Sequence, residues 1–119
     1  MQASNWSRES LAWLAGLLEG EGCFMFRNDG RFHQLVIAMN MTDEDVVRQA
    51  ALIAGVGRVN GPYEYNDKKH PNNKPFWKWT VTVSEHSYAL MVAVYPWMGS
   101  RRRAKIREVL TCWLDWKAS

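Results

Sequence analysis

Between Leu11 and Leu18 every residue is apolar or small, and this run ends directly in two carboxylates, Glu19 and Glu21, each followed by a glycine. A helix that is apolar all round has no face for water and must be buried on every side. A chain of 119 residues, however, is expected to form one domain (1–119) around a core whose helices mostly keep one face in solvent. Leu11, Leu14, Ala15 and Leu18 make one stripe at i, i+3, i+4, i+7, and Ala12, Gly16 and Gly20 make a second, of small residues at spacing four. Small residues so spaced let two helix backbones approach closely, while the run is far too short to cross a bilayer. The second stripe, with Trp13 beside it, therefore calls for a second copy of the chain. A two-fold axis along this helix would set the two copies of Glu21 side by side. A helix central to its own small core is the other solution, but it leaves Gly16 without a purpose.

The two acids pose a separate problem. A helix carries partial negative charge at its C-terminus, where an anion is disfavoured by roughly 0.3–1 kcal/mol, so something must compensate Glu19 and Glu21. A divalent cation would do so, because hard cations take oxygen ligands and Mg²⁺ keeps several waters. Gly20 and Gly22 are expected to let the chain leave the helix with positive φ and to expose carbonyls beside the acids. A glycine-capped helix with two solvated glutamates would give the same pattern.

The segment Leu14-Ala15-Gly16-Leu17-Leu18-Glu19-Gly20-Glu21-Gly22 resembles the LAGLIDADG motif of homing endonucleases, with glutamate for both aspartates. The motif follows a helix start and precedes a strand, and the rest of the chain agrees with that family's α-β-β-α-β-β-α order. The resemblance implies an α+β fold in which an antiparallel sheet that binds DNA is backed by helices. One copy of the motif is present, which is similar to the family members that act as homodimers.

A coarse pass along the chain agrees. Ser7, Glu9 and Ser10 open the first helix. Cys23 to Asn28 alternates as a strand with Phe24 and Phe26 on one face, and after a turn at Asn28-Asp29-Gly30 the chain returns through Phe32 to Met41. There Leu35, Ile37, Met39 and Met41 face the core, and Gln34, Val36, Ala38 and Asn40 face out. Thr42 with Asp45 suggests a capping box for a helix from Asp43 to Ala54 that Gly55 closes. Arg58–Tyr65 and Trp77–Val83 read as a second hairpin, with Trp79, Val81 and Val83 inward and Lys78, Thr80 and Thr82 outward. Ser84 is expected to cap a helix through Val94, Pro96 interrupts it, and Ser100 begins a last helix to about Trp116.

Each hairpin thus has an outer face of Arg, Lys, Gln, Asn and Thr. Gln, Asn and Arg can bond base edges bidentately, Thr can touch a thymine methyl, and Lys or Arg can neutralise phosphates. A plain solvated sheet face would look alike. The resemblance implies that this face is the saddle laid on duplex DNA, carrying Arg27, Gln34, Asn40, Arg58, Asn60, Lys78, Thr80 and Thr82.

For chemistry, the resemblance places Glu21 at the family's metal-binding acid and has Gly20 lend a backbone carbonyl to the metal. Mg²⁺ is the implied cofactor, with Mn²⁺ able to replace it and Ca²⁺ supporting binding only. Glutamate is one methylene longer than aspartate, so the metal must sit farther from the helix axis or the side chain must fold back. Glu19 is the weaker candidate, since it projects about 200° away from Glu21 around the helix. Asp43 lies where the family often puts a polar residue that holds the attacking water. Arg101 lies where it often puts a base near the scissile phosphate. A cation at a helix start is unfavourable, which favours phosphate contact for Arg101, whereas Asp43 is equally a first-turn acid complementing the dipole. Arg48, Arg102 and Arg103 are further backbone-contact candidates.

Composition sets the remaining bounds. Fifteen Lys plus Arg against 12 Asp plus Glu give a formal net charge of +3, so nucleic-acid binding must come from local patches. Arg101, Arg102, Arg103, Lys105 and Arg107 form one cluster, and Lys68, Lys69, Lys74 and Lys78 another. Cys23 and Cys112 lack metal-ligand spacing and are expected as reduced, partly buried thiols, and the three histidines form no zinc pattern. The tryptophans sit beside apolar positions and are expected in the core or an interface, Trp6 being left open. With no signal peptide or spanning segment visible, a soluble cytoplasmic protein is expected. The leading reading is a homodimeric, Mg²⁺-dependent, site-specific DNA endonuclease of a mobile intron, intein or phage. The alternatives are a catalytically inactive sequence-specific DNA-binding protein and an RNA-splicing maturase of the same fold.

Overall fold

Ser7 starts the first helix as expected: its hydroxyl accepts the Ser10 amide at 3.0 Å, satisfying one of the free donors of the first turn. The computed structural model describes residues 6–64 and 74–119. Its elements run α1 (Arg8–Glu21), β1 (Gly22–Asp29), β2 (Phe32–Met41), α2 (Glu44–Ala54), β3 (Arg58–Tyr63), β4 (Phe76–Val81), α3 (Ser84–Val94) and α4 (Ser100–Ala118), with a 3-10 turn at Tyr95–Trp97 before α4. Lys68, Lys69 and the expected end of β3 at Tyr65 lie outside the described residues.

The strands form one antiparallel sheet in the order β1-β2-β4-β3. Alternation decides its faces. Phe24, Leu35, Ile37, Met39, Trp79 and Val81 are buried under the helices, where they meet Leu14, Ala15 and Leu18 of α1, Val47 and Ala50 of α2, Leu90 and Met91 of α3 and Ile106 of α4. Trp6 joins this core by donating its indole N–H to the Ala54 carbonyl at 3.0 Å, tying down the end of α2.

Several local expectations are corrected. Gly20 lies inside α1, and Gly22 leaves it with φ −82, so neither is in the left-handed region. Gly22 is required for a different reason: a Cβ there would stand 2.8 Å from both the Leu18 carbonyl oxygen and the Leu18 side chain. The capping box at Thr42 does not form; Asp43 is the N-cap of α2 without a side-chain cap bond, and Asp45 accepts the Val46 amide. Gly55 closes α2 with φ 72, as expected. Val83 is half exposed and is the N-cap of α3, because β4 ends at Val81. Ser84 caps no helix; its hydroxyl accepts the Leu35 amide at 3.1 Å, where the β2–β4 ladder has already stopped. Both cysteines are free and exposed, Cys23 on the outer sheet face and Cys112 on α4. Val36 does belong to the outer face, yet it is only 6% exposed.

Candidate active site and nucleic-acid interface

The charges that looked misplaced in the sequence meet at one junction. The C-terminal end of α1 carries Glu19 and the N-terminal end of α4 carries three arginines with no acid in that turn. The Glu19 carboxylate accepts the Gly99 amide at the α4 N-terminus at 2.5 Å and lies 3.7 Å from Arg102 Nε. Arg102 in turn donates from Nε to the Glu19 carbonyl at 3.0 Å and from Nη1 to the Gly22 carbonyl at 2.6 Å. Each side chain therefore complements the dipole of the other's helix. The compensation sought for Glu19 is protein, not metal.

Glu21 is treated differently. It is exposed, and among the described residues it makes no ion pair or side-chain hydrogen bond. The β1–β2 ladder runs Cys23↔Ala38, Gly22↔Met39 and stops there, since Glu21 is the last residue of α1. Glu21 and Asn40 are brought together by a cavity of about 270 Å³ that they line with Met41, Thr42 and Phe76. A second cleft, of about 470 Å³, is lined by Gly22, Cys23, Arg101, Arg102, Lys105 and Glu108 among others, with Lys105 paired to Glu108 at 3.1 Å and the two arginines leaving it basic. Arg101 is exposed there, whereas Arg102 is turned inward and Arg103 donates to the Pro96 carbonyl. The α1–β1 junction thus borders both a carboxylate pocket and a basic cleft. Asp43 is exposed one residue beyond Thr42 and does not line the Glu21 cavity.

The donor set can be tested against a divalent cation. Among the described residues no three His, Cys, Asp or Glu side chains gather as a closed metal site. One free carboxylate and the Gly20 carbonyl near a helix end are hard oxygen donors. They suit an ion that takes its other ligands from water, phosphate and a second subunit, as Mg²⁺ does, and would not retain one alone.

Of the eight residues expected to face DNA, the ladder brings seven onto one surface. Asn40, Lys78 and Asn60 form one rung across β2, β4 and β3, and Ala38, Thr80 and Arg58 form the next, with Cys23 at its β1 end. Met25↔Val36 and then Arg27↔Gln34 continue toward the hairpin tip. Thr82 lies beyond the end of β4 and is exposed. Arg27 pairs with Asp29 at 3.0 Å and its guanidinium lies over Phe32, 4.2 Å from the ring centroid. Arg48 is held by Glu44 at 2.8 Å and lies over Trp77.

The expected dimer helix face is open. Ala12, Gly16 and Gly20 are exposed, no heavy atom lies within 4 Å of a Cβ built on either glycine, and Trp13 is half-buried against the core. Thr42, assigned to a cap, was missed as a site residue, and Arg102, expected as a DNA-backbone contact, is instead spent on the Glu19 and Gly22 carbonyls; the signal for that role was a cation at a helix start opposite an anion at a helix end.

No protein-family model matches the chain, and no curated protein matches it by sequence. Solved structures do. The homing endonuclease I-CvuI in complex with its target superposes with a TM-score of 0.66 at 18% identity, over 88% of this chain and 66% of that one. The LAGLIDADG meganuclease I-AabMI bound to uncleaved DNA gives 0.69 at 18% identity, over 91% of this chain and 37% of that one. The archaeal intron-encoded homing endonuclease I-Vdi141I complexed with DNA gives 0.59 at 17% identity, over 84% and 65%. The chain therefore has the fold of the LAGLIDADG homing endonucleases, while spanning less than two-thirds of the length of these structures. Among the described residues no helix is long and apolar enough to cross a membrane.

Proposed function

We propose that the chain is one subunit of a homodimeric, divalent-metal-dependent, site-specific DNA endonuclease that hydrolyses one phosphodiester bond in each strand. The observation that carries this reading is the contrast between the two motif acids. Glu19 is consumed by a helix–helix brace, whereas Glu21 stands unpaired at the end of the outer sheet face, in one cavity with Asn40. An unpaired carboxylate beside a phosphate would only repel it, unless a cation lies between them.

Glu21 and the Gly20 carbonyl would hold Mg²⁺ at the scissile phosphate. The ion supplies Lewis-acid polarisation of the phosphate and makes water a better nucleophile. Arg101, exposed in the adjoining cleft, would bond the phosphate as negative charge develops on it. Asp43, outside the Glu21 cavity but next to the Thr42 that lines it, would orient water only on its approach from the α2 N-terminus. Apposition of the open α1 faces of two subunits brings their Glu21 residues together, so that both strands are reached by one dimer.

The test is selection of bound sites from random duplex DNA in Ca²⁺, followed by transfer of the enriched pool to Mg²⁺ and sequencing of new ends. A palindrome-like site cut in both strands is expected. An enriched site left whole would make the chain a DNA-binding module, and binding of structured RNA alone would move the assignment to a splicing factor.

A further inference from the structure

The outer sheet face is not uniformly polar. Starting at Glu21, the β1–β2 half of this face carries Asn40, then two successive rungs with almost no hydrogen-bonding capacity, Cys23↔Ala38 and Met25↔Val36, and only then Arg27↔Gln34. These four side chains offer methyl groups, a thioether and a thiol. Cys23, Met25 and Ala38 are not a piece of core: the phenylalanines and Ile37 on the opposite parity supply that, Cys23 is exposed, and Met25 and Ala38 are part-exposed. Nor do they form a large hydrophobic patch, because Val36 is almost fully covered and Thr80, Lys78 and Arg58 surround them on the adjoining strands.

On a base edge such a surface has one complementary partner. The major groove presents acceptors and donors on every base pair, and its single apolar group is the 5-methyl of thymine. A G·C pair under these rungs would lose water from its donors and acceptors with nothing to replace it. We infer that Met25, Ala38 and Cys23 read thymine methyl groups, with the covered Val36 paired to Met25 and itself out of reach, so that the inner part of each half-site, between the cut and the pairs read by Arg27 and Gln34, is selected as T·A. Successive rungs on one face are about 6.8 Å apart, close to two base pairs of about 3.4 Å, so the two apolar rungs cover a block of about four pairs. The flanks differ in kind: Arg27 and Gln34 outside the block, and Asn40, Lys78 and Asn60 at its inner end, can form bidentate or charged contacts.

The inference rests on the DNA-cleaving reading above, and the test separates the two. Duplex sites enriched in Ca²⁺ from a random library are remade with each thymine replaced singly by deoxyuridine, which removes only the methyl group. Binding constants are then measured with the unaltered protein. Replacement within the inner block is expected to weaken binding about fourfold per site, the worth of one buried methyl-sized group, and replacement under Arg27 and Gln34 to change it little. In Met25→Gln and Ala38→Gln the ratio of thymine to uracil binding constants within the inner block should fall to unity. Enriched sites with G·C in the inner block, or indifference to uracil there, would overturn the methyl assignment and leave the nuclease reading intact. Enrichment of no duplex at all would overturn both.

Discussion

Glu19 and Arg102 stand at the wrong ends of their own helices and at the right ends of each other's. The carboxylate sits on the amide of Gly99 at the start of α4, and the guanidinium bridges the carbonyls of Glu19 and Gly22 at the end of α1. Those two carbonyls bracket Gly20 and Glu21, so the brace fixes the backbone that carries the proposed metal donors. Its polar atoms are partly withdrawn from water, with the Arg102 side chain 13% exposed.

Arg102→Met should therefore act on both stability and turnover. Leaving two carbonyls without their donor, and the Glu19 carboxylate without its nearby positive charge, costs about 1–3 kcal/mol, read as a lower urea midpoint. Cleavage should fall more than site binding in Ca²⁺, and Arg102→Lys, which can reach one carbonyl but not both, should be intermediate. Unchanged stability in Arg102→Met would show that the brace is dispensable.

The two motif acids predict opposite phenotypes. Glu21→Gln removes a carboxylate with no partner among the described residues, so stability should stay within about 0.5 kcal/mol. Cleavage should drop by about a hundredfold or more, as when a group that stabilises transition-state charge is removed, and site binding in Ca²⁺ should persist. Glu19→Gln should instead lower stability and retain cutting, because Arg102 still bridges the two backbone carbonyls that bracket Gly20 and Glu21. Equal cleavage by Glu21→Gln and the unaltered protein would remove Glu21 from the metal site.

Much of this was legible in the chain because alternation and glycine placement are local. Phe24, Leu35, Ile37, Met39 and Trp79 are inward as their parity requires, and Gly55 closes α2 in the left-handed conformation. The same parity put Arg27, Gln34, Asn40, Arg58, Asn60, Lys78 and Thr80 on one surface. What failed were caps and charges whose partners are distant in sequence. Ser84 looked like a helix cap, but its hydroxyl goes to Leu35, 49 positions away, where a strand ladder has run out. Glu19 looked like half of a metal seat because its partner, Arg102, lies 83 positions away. Val83 looked inward because strand parity was extended past the residue where β4 ends.

Gly57 and Gly55 separate steric from conformational need in the turn leading to β3. Both have positive φ, 91 and 72 respectively, but a Cβ on Gly57 would meet the Trp79 indole nitrogen and stand 2.7 Å from the Thr80 carbonyl oxygen, while one on Gly55 would meet nothing. The Trp79 indole already donates to the Val56 carbonyl at 3.0 Å, so it cannot move aside without losing that bond. Gly55→Ala should cost about 1–2 kcal/mol from the left-handed backbone alone. Gly57→Ala should exceed about 4 kcal/mol, since it adds a clash with buried structure. Similar denaturant midpoints for the two variants would contradict the packing around Trp79.

The open face of α1 gives the most direct test of assembly. Gly16 is exposed with no atom near its Cβ position, so within one chain Gly16→Glu meets no obstacle and even gains helix propensity, about 0.5–1 kcal/mol for replacing a mid-helix glycine. If two subunits pack through Ala12, Gly16 and Gly20, the same change places two like charges and two bulky side chains where backbones must approach. Sedimentation should then show a monomer with intact circular dichroism, and double-strand cutting should be lost because the two Glu21 sites are no longer held together. A Gly16→Glu protein that remains dimeric would place the subunit interface on another surface, and would leave the exposed small-residue stripe to be explained by something other than a second α1.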